Sequence, residues 1–426
     1  MVNRRAMLGA ILSFPALGGG SRTWAKSAPL SDASESLHRQ LSAMVDKREI
    51  PNAIVLVVQD GQPLLSVRVG YSDVEAKVPV ADDAIFRLYS MTKPITSVAI
   101  LMLVEQGRLS LGDPVEQYLP ELSALRVYKS GADERLETSA LTRSVTIEDL
   151  LLHRSGMSYE FMGNTPVHCY YRRHGVSRST AVASGADQAA PARTLDELVA
   201  RLGPAPLLHQ PGERFSYGFS TTVLGAVVEH VSGEKLDQFL HRHIFDPLAM
   251  RDTGFVVDEA RLPRLVTNYV AAEGGLQPVD RPGLSEYRDT GRLLDGGGGL
   301  VSTMEDYRHF AEMLANRGHW NGRHILKASS VDAMFTPRLR TGGSSQEDTP
   351  FGYGLAIGDA ETEARGLLPV GAGSWGGSAN SFFFADPAHR AVAILMTNVL
   401  TPGSFSARTY ALRRMLTSAT LTVIRR

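Results

Sequence analysis

From Ile95 to Glu105 nearly every side chain is apolar or small. A helix apolar on all sides has no face for water, so it belongs at the centre of a domain with other elements packed around it. Gly107 follows as the expected C-terminal cap. The chain enters this helix through Phe86-Arg87-Leu88-Tyr89-Ser90-Met91-Thr92-Lys93-Pro94, and proline is tolerated in a first helical turn. Residues three apart share a helix face, so the Ser90 hydroxyl and the Lys93 amine can meet there. A serine is a poor nucleophile until a base takes its proton. A lysine serves as that base only when burial or nearby positive charge depresses its pKa. A buried helix start supplies desolvation and the positive end of the helix dipole. The plain alternative, a capping serine followed by a surface lysine, stays open on this spacing alone.

Strand signals stand at both ends of the chain. Ile54 to Gln59 and Leu64 to Val69 are β-rich runs joined through Asp60-Gly61, a strong hairpin signal. Tyr353 to Ile357, Gly373 to Gly377, Ser381 to Ala385 and Ala391 to Thr397 return to strand patterns in the last third. Helical patterns cover 35–48, 146–153, 194–202, 221–232, 235–245, 304–317 and 404–418. The expected fold class is α+β: one antiparallel sheet flanked by helices, with an inserted, mostly α-helical region. The expected division is an α/β domain from 30–115 and 290–426, and a helical domain over 116–289. That helical part contains a long stretch, 158–193, without sustained periodicity, whose aromatics Tyr159, Phe161, Tyr170 and Tyr171 suit a lid or binding loop. Segments 109–141 and 259–292 read as irregular. The four-glycine run Gly296 to Gly299 reads as a flexible crossover, because a phosphate cradle needs a following Lys-Ser/Thr that is absent.

A net charge of −1 over 426 residues points to no nucleic-acid partner. Asn3-Arg4-Arg5 opens a twin-arginine run with a short apolar stretch to Leu17 and a small-residue end at Thr23-Trp24-Ala25. Residues 1–25 read as an export signal, hence a periplasmic or secreted bacterial enzyme, with a disordered basic tail as the alternative. The stretch is too short to span a membrane, and no stable membrane insertion is expected. Cys169 is the sole cysteine, so no intramolecular disulfide forms.

Two further stretches carry chemistry. Pro211-Gly212-Glu213-Arg214-Phe215-Ser216-Tyr217 ends a loop just ahead of an apolar helix. A phenol hydrogen-bonded to a lysine ammonium lowers its own pKa and can shuttle protons, although a lone Tyr217 also suits simple packing. Trp375-Gly376-Gly377-Ser378 precedes a strand, where glycines let the backbone approach a substrate and an N–H help hold an oxyanion. A β-bulge with a packed tryptophan is the alternative.

Taken in order, these motifs resemble the serine β-lactamase and penicillin-binding-protein superfamily, specifically its class C-like branch and, within it, the family VIII carboxylesterases. Further matching segments are Asp149-Leu150-Leu151-Leu152-His153-Arg154-Ser155-Gly156-Met157, Ile244-Phe245-Asp246-Pro247-Leu248-Ala249-Met250 and Gly296 to Thr303. The resemblance implies a β-lactamase/transpeptidase-like fold and a serine hydrolase needing no cofactor and no metal. It implies Ser90 as acylated nucleophile, Lys93 as base, Tyr217 as the tyrosine assisting proton transfer, and the backbone N–H groups of Ser90 and Ser378 as oxyanion hole. Two departures stand out. Trp375 takes the place of the Lys-Thr/Ser-Gly lysine, and Phe219 that of the asparagine of Tyr-x-Asn. Both remove polar recognition of a β-lactam and favour an apolar acyl or alcohol group. The expected partner is a small-molecule ester, with Trp375, Gly376, Gly377, Phe219, Tyr159, Phe161 and Tyr170 around it. Arg340-Thr341-Gly342 imitates the missing motif but reads as a loop. No complete G-x-S-x-G is present, and His241-x-His243 lacks a ligand geometry for zinc. A β-lactamase or D-alanyl-D-alanine carboxypeptidase, an acyltransferase, and a non-catalytic penicillin-binding-like protein are the competing readings.

Overall fold

The computed structural model describes residues 32–178, 189–272, 274–342, 348–401 and 407–425. The stretch read as an export signal lies outside the described residues. The largest element is a nine-stranded sheet in the order Leu339–Arg340, Pro350–Phe351, Ala356–Ile357, Gly373–Gly376, Phe382–Asp386, Ala391–Met396, Asn52–Gln59, Gln62–Asp73, Val78–Pro79. All its pairings are antiparallel. N-terminal and C-terminal parts of the chain meet along one seam, where Ile54 faces Met396 and Val58 faces Val392. Asp60 and Gly61 turn the hairpin with φ of 52° and 73°, the conformation a two-residue type I′ turn requires.

Alternation decides what each strand residue touches. Ile54, Leu56, Val58, Val392, Ile394 and Met396 enter the larger core, whereas Val55, Val57, Ala393 and Leu395 enter a second one. Burial on both faces explains why Ala53 to Val58 runs without polar alternation, a pattern commoner in parallel sheets. The second face is covered by helices Asp32–Asp46 and Ala407–Val423, through Leu37, Leu41, Leu412 and Leu416. On the first face lies helix Met304–Ala315, whose Tyr307 ring meets Phe383 at 5.0 Å. The Tyr307 hydroxyl donates to the Met91 carbonyl at 2.9 Å and ties that layer to the apolar helix Lys93–Glu105.

Every residue of that helix from Lys93 to Leu101 is buried. Each large apolar side chain there contributes about 1.5–3 kcal/mol, enough together to offset the several kcal/mol that burying a lysine costs. The turn before it is anchored separately. Arg87, with no exposed side-chain surface, donates to the Asp280 carboxylate at 2.7 Å, the Val266 carbonyl at 2.6 Å and the Ser285 hydroxyl at 3.1 Å. Tyr89 has φ of 47°, a conformation costing a non-glycine residue about 1–3 kcal/mol. Asn268 holds it there by donating to its hydroxyl at 2.7 Å.

Four expectations need correction. Segment 109–141 contributes strands Arg126–Ser130 and Glu137–Ser139, which form a small sheet with Pro206–Leu207. Segment 259–292 holds the hairpin Asn268–Ala272 and Gly275–Asp280, joined in parallel by Val399–Leu400. The stretch 158–193 contains a helix, Pro166–Arg173, while 179–188 lies outside the described residues. Arg340 is in the outermost strand of the main sheet rather than a loop, three strands from Gly373–Gly376 and paired with Asp348 and Asp359. These pieces are short, or paired across distant sequence, so no window of residues shows their period.

Candidate active site

Tyr89–Thr92 form one 3₁₀ turn and Lys93 opens the α-helix behind it, which sets Lys93 Nζ 3.4 Å from Ser90 Oγ. The Tyr217 hydroxyl donates to the same Oγ at 2.8 Å. Lys93, 1% exposed, has two further hydrogen bonds: to the Gly297 carbonyl at 2.5 Å and the Tyr159 hydroxyl at 3.0 Å. Desolvation pushes its pKa well below the ordinary lysine value, and the Arg178 charge pushes the same way against the opposing carboxylate of Asp295.

Gly297 belongs to the four-glycine run, which is packed rather than a flexible crossover. Asp295 Oδ1 accepts from the Gly297 N–H at 2.8 Å and from the Thr222 hydroxyl at 2.6 Å. Its Oδ2 accepts from Arg178 Nη1 at 3.0 Å. A Cβ at Gly298 would come within 2.3 Å of that Nη1, so only glycine leaves the guanidinium its place.

Tyr217 ends the loop ahead of helix Ser220–Ser232. The Ser216 N–H donates to the His153 carbonyl at 2.6 Å, and the Tyr217 ring lies 4.9 Å from the His153 ring and 5.7 Å from that of Trp375. The expected phenol–ammonium hydrogen bond is not the observed contact: Lys93 Nζ stands over the Tyr217 ring, 4.6 Å from its centre. Burial outweighs the Ser90 hydrogen bond and pushes the phenol up to about 12. Tyr217 is therefore a neutral O–H donor near pH 7, not a phenolate. His153 is fully buried, and desolvation and the Lys93 charge hold its pKa well below the ordinary histidine value, so its ring is neutral too.

Residues 37–416 match the family model described as Beta-lactamase. The chain belongs to the β-lactamase family. Esterase EstB of Burkholderia gladioli is 31% identical over 401 residues, covering 89% of this chain and 94% of EstB. The lovastatin esterase of Penicillium rubens is 30% identical over 332 residues, covering 73% and 78%. Among solved structures, EstCE1, a hydrolase with promiscuous acyltransferase activity, superposes with a TM-score of 0.73 at 25% identity, covering 91% and 98% of the two chains. The fold is the β-lactamase/transpeptidase-like one, and the chain is a serine hydrolase of this family.

The strand Gly373–Gly376 carries Trp375 to the site, half-buried against Tyr217 and Phe351. Gly377 lies on the turn before Ser90, where a Cβ would come within 2.4 Å of the Leu88 carbonyl. Its own N–H is taken by the Ser381 carbonyl at 2.7 Å, which leaves Ser378, exposed, as the next N–H in the chain. Phe219 is fully buried, edge-on to Tyr159 at 4.8 Å, and stands behind Tyr159 rather than beside Ser90. Phe161 is 41% exposed and stacks on Tyr159 at 5.1 Å. Tyr170 stacks on His174, the residue that caps the C-terminus of its helix. Tyr159, grouped by sequence with the pocket aromatics, is fully buried with its hydroxyl on Lys93. Asp295 and Arg178 carry no motif in the sequence, and Gly297 stands there only as part of the glycine run. An acid directly before a glycine run, able to hold the run's own N–H, was the one available signal.

Proposed function

We propose that this protein hydrolyses small carboxylic esters with short acyl groups through an acyl-enzyme on Ser90. The environment of Lys93 carries this reading. A neutral amine has two N–H bonds and one lone pair. The Gly297 carbonyl and the Tyr159 oxygen accept the two N–H bonds, which leaves the lone pair toward Ser90 Oγ. As Oγ attacks the ester carbonyl, the serine proton passes to Lys93. Collapse of the tetrahedral intermediate then breaks the ester C–O bond. The leaving alkoxide takes a proton from the Lys93 ammonium, directly or through the Tyr217 hydroxyl, and departs as the alcohol. Water attacks the acyl-enzyme as Lys93 accepts its proton; collapse breaks the acyl–Oγ bond, Ser90 Oγ takes that proton back, and the acid leaves. The N–H groups of Ser90 and Ser378 are assigned to the developing oxyanion, a reading supported by the contact of Gly377 with Leu88.

Esters are favoured over β-lactams by Trp375, which puts an apolar ring where this family's β-lactam binders carry a cation, and by Phe219, which replaces their amide and is buried behind Tyr159. The esterases EstB and lovastatin esterase, both similar to this chain, point the same way. The promiscuous acyltransferase activity of EstCE1 supports a second acceptor, an alcohol in place of water, which would make the enzyme an acyltransferase. Export through the twin-arginine run is also proposed, and fractionation of cells carrying an Arg4→Lys, Arg5→Lys variant tests it.

Intact-mass spectrometry after brief exposure to a short-chain nitrophenyl ester, with nitrophenol release followed in parallel, tests the main reading. Turnover with an acyl adduct on Ser90 is expected, and product analysis with added alcohol separates hydrolysis from transfer. Folded protein giving neither adduct nor release would overturn it.

A further inference from the structure

We propose that Arg178 is a positioning residue for the catalytic base, its guanidinium cancelling the buried Asp295 carboxylate so that Lys93 can be neutral when Ser90 attacks. This rests on Lys93 being the base. Asp295 is nearly buried and indispensable to the geometry around Lys93, because its Oδ1 holds Thr222 and the N–H of Gly297, whose carbonyl takes the Lys93 N–H. A lone carboxylate there would stabilise the ammonium and keep the base protonated. Arg178 removes that charge by donating to Oδ2 at 3.0 Å, with its side chain 13% exposed and its guanidinium 4.5 Å from the centre of the Tyr159 ring. Arginine suits the task because it does not deprotonate, and its flat face lies on an aromatic ring.

The other titratable groups facing this cluster leave the balance to the pair. His153 and the phenols of Tyr159 and Tyr217 are buried and neutral. Glu160, also buried, accepts from Ser177 at 2.9 Å, and desolvation raises its pKa toward the protonated form. Arg178 and Asp295 are the two charges that act on Lys93, in opposite senses.

That opposition separates an electrostatic role from a merely structural one. The experiment is the pH profile of kcat/KM with a short-chain nitrophenyl ester for wild type, Arg178→Gln, Arg178→Lys, Asp295→Asn and the double variant Arg178→Gln/Asp295→Asn. Activity rises with pH as the base loses its proton. Arg178→Gln should therefore move the acid limb up by about one pH unit or more, and Asp295→Asn should move it down. Arg178→Lys should return the limb toward wild type, and the double variant should lie between the two single ones. A limb that stays in place or moves down in Arg178→Gln, or moves the same way in both single variants, would overturn the inference. Should Arg178→Gln fail to fold, Asp295→Asn decides, since a limb at or above the wild-type position is equally fatal. Failure of the base assignment looks different: Lys93→Ala would then keep the wild-type limb.

Discussion

The two sides of Ser90 are built differently. On the Lys93 side the groups are sealed: Lys93 is 1% exposed, Tyr159 is fully buried, and amine, phenol, carbonyl, carboxylate and guanidinium are joined by hydrogen bonds. On the other side stand half-buried Trp375 and the exposed Phe161, whose side chains pack through their rings, on Tyr217 and Phe351 and on Tyr159 and the Arg178 guanidinium respectively. A sealed polar network in low dielectric fixes geometry and pKa, and losing one member leaves the others unsatisfied. An open apolar wall offers area and shape, which substrates use in proportion to what they bury. The first side should govern kcat and the second KM and substrate preference.

Ser90→Ala should break the comparison completely, lowering kcat by about 10⁴-fold or more with the melting transition retained. Lys93→Ala should be nearly as damaging and Tyr217→Phe less so, all read as kcat with the nitrophenyl ester. Retained turnover in pure Ser90→Ala protein would remove the basis for dividing the site at this residue.

Tyr159→Phe sharpens the boundary. Its ring contacts with Phe161 and Phe219 survive, but the acceptor for one Lys93 N–H is lost. A hydrogen bond to a charged partner contributes about 1.5–3 kcal/mol, so kcat should fall about 10–100-fold with KM little changed. A pure KM effect would return Tyr159 to the pocket wall, where sequence alone had placed it.

That misplacement shows what the sequence made legible. Ser90 and Lys93 are three residues apart, so helix geometry alone brings them together. The hairpin at Asp60-Gly61 and the apolar strands around Val57 and Ala393 likewise declare themselves through local turn chemistry and composition. Arg178 and Asp295 meet across 117 residues of sequence, and nothing local marks either as charged and buried. The glycine run shows a missing phosphate motif in the sequence, whereas the role of the Gly297 carbonyl depends on a fold that brings Lys93 to it. An aromatic-rich segment looks the same whether its phenols face substrate or a buried amine.

Sealing Lys93 also has a stability signature. The folded-state pKa lies below that of the unfolded chain, about 10.4. Between the two values the unfolded state binds more protons, so the wild-type contribution to stability rises with pH and the penalty is complete below the folded-state pKa. Lys93→Met should therefore stabilise the protein by about 1–4 kcal/mol at low to neutral pH, and the gain should shrink as the pH approaches 10. Chemical denaturation at several pH values measures it, and a gain independent of pH would mean that Lys93 is not depressed.

The smallest effect belongs to the open wall. Phe161→Ala removes a ring that is 41% exposed and touches the sealed side by stacking on Tyr159 and by lying 5.5 Å from the Arg178 guanidinium. Deleting a partly exposed apolar contact with substrate is worth about 1 kcal/mol, so KM should rise less than about tenfold, more for longer acyl or alcohol groups than for acetate, with kcat unchanged. Steady-state kinetics over a series of acyl lengths measures this. A fall in kcat of equal size for every ester would instead mean that the Phe161 ring holds Tyr159 in place on Lys93, and that the sealed side extends out to the surface.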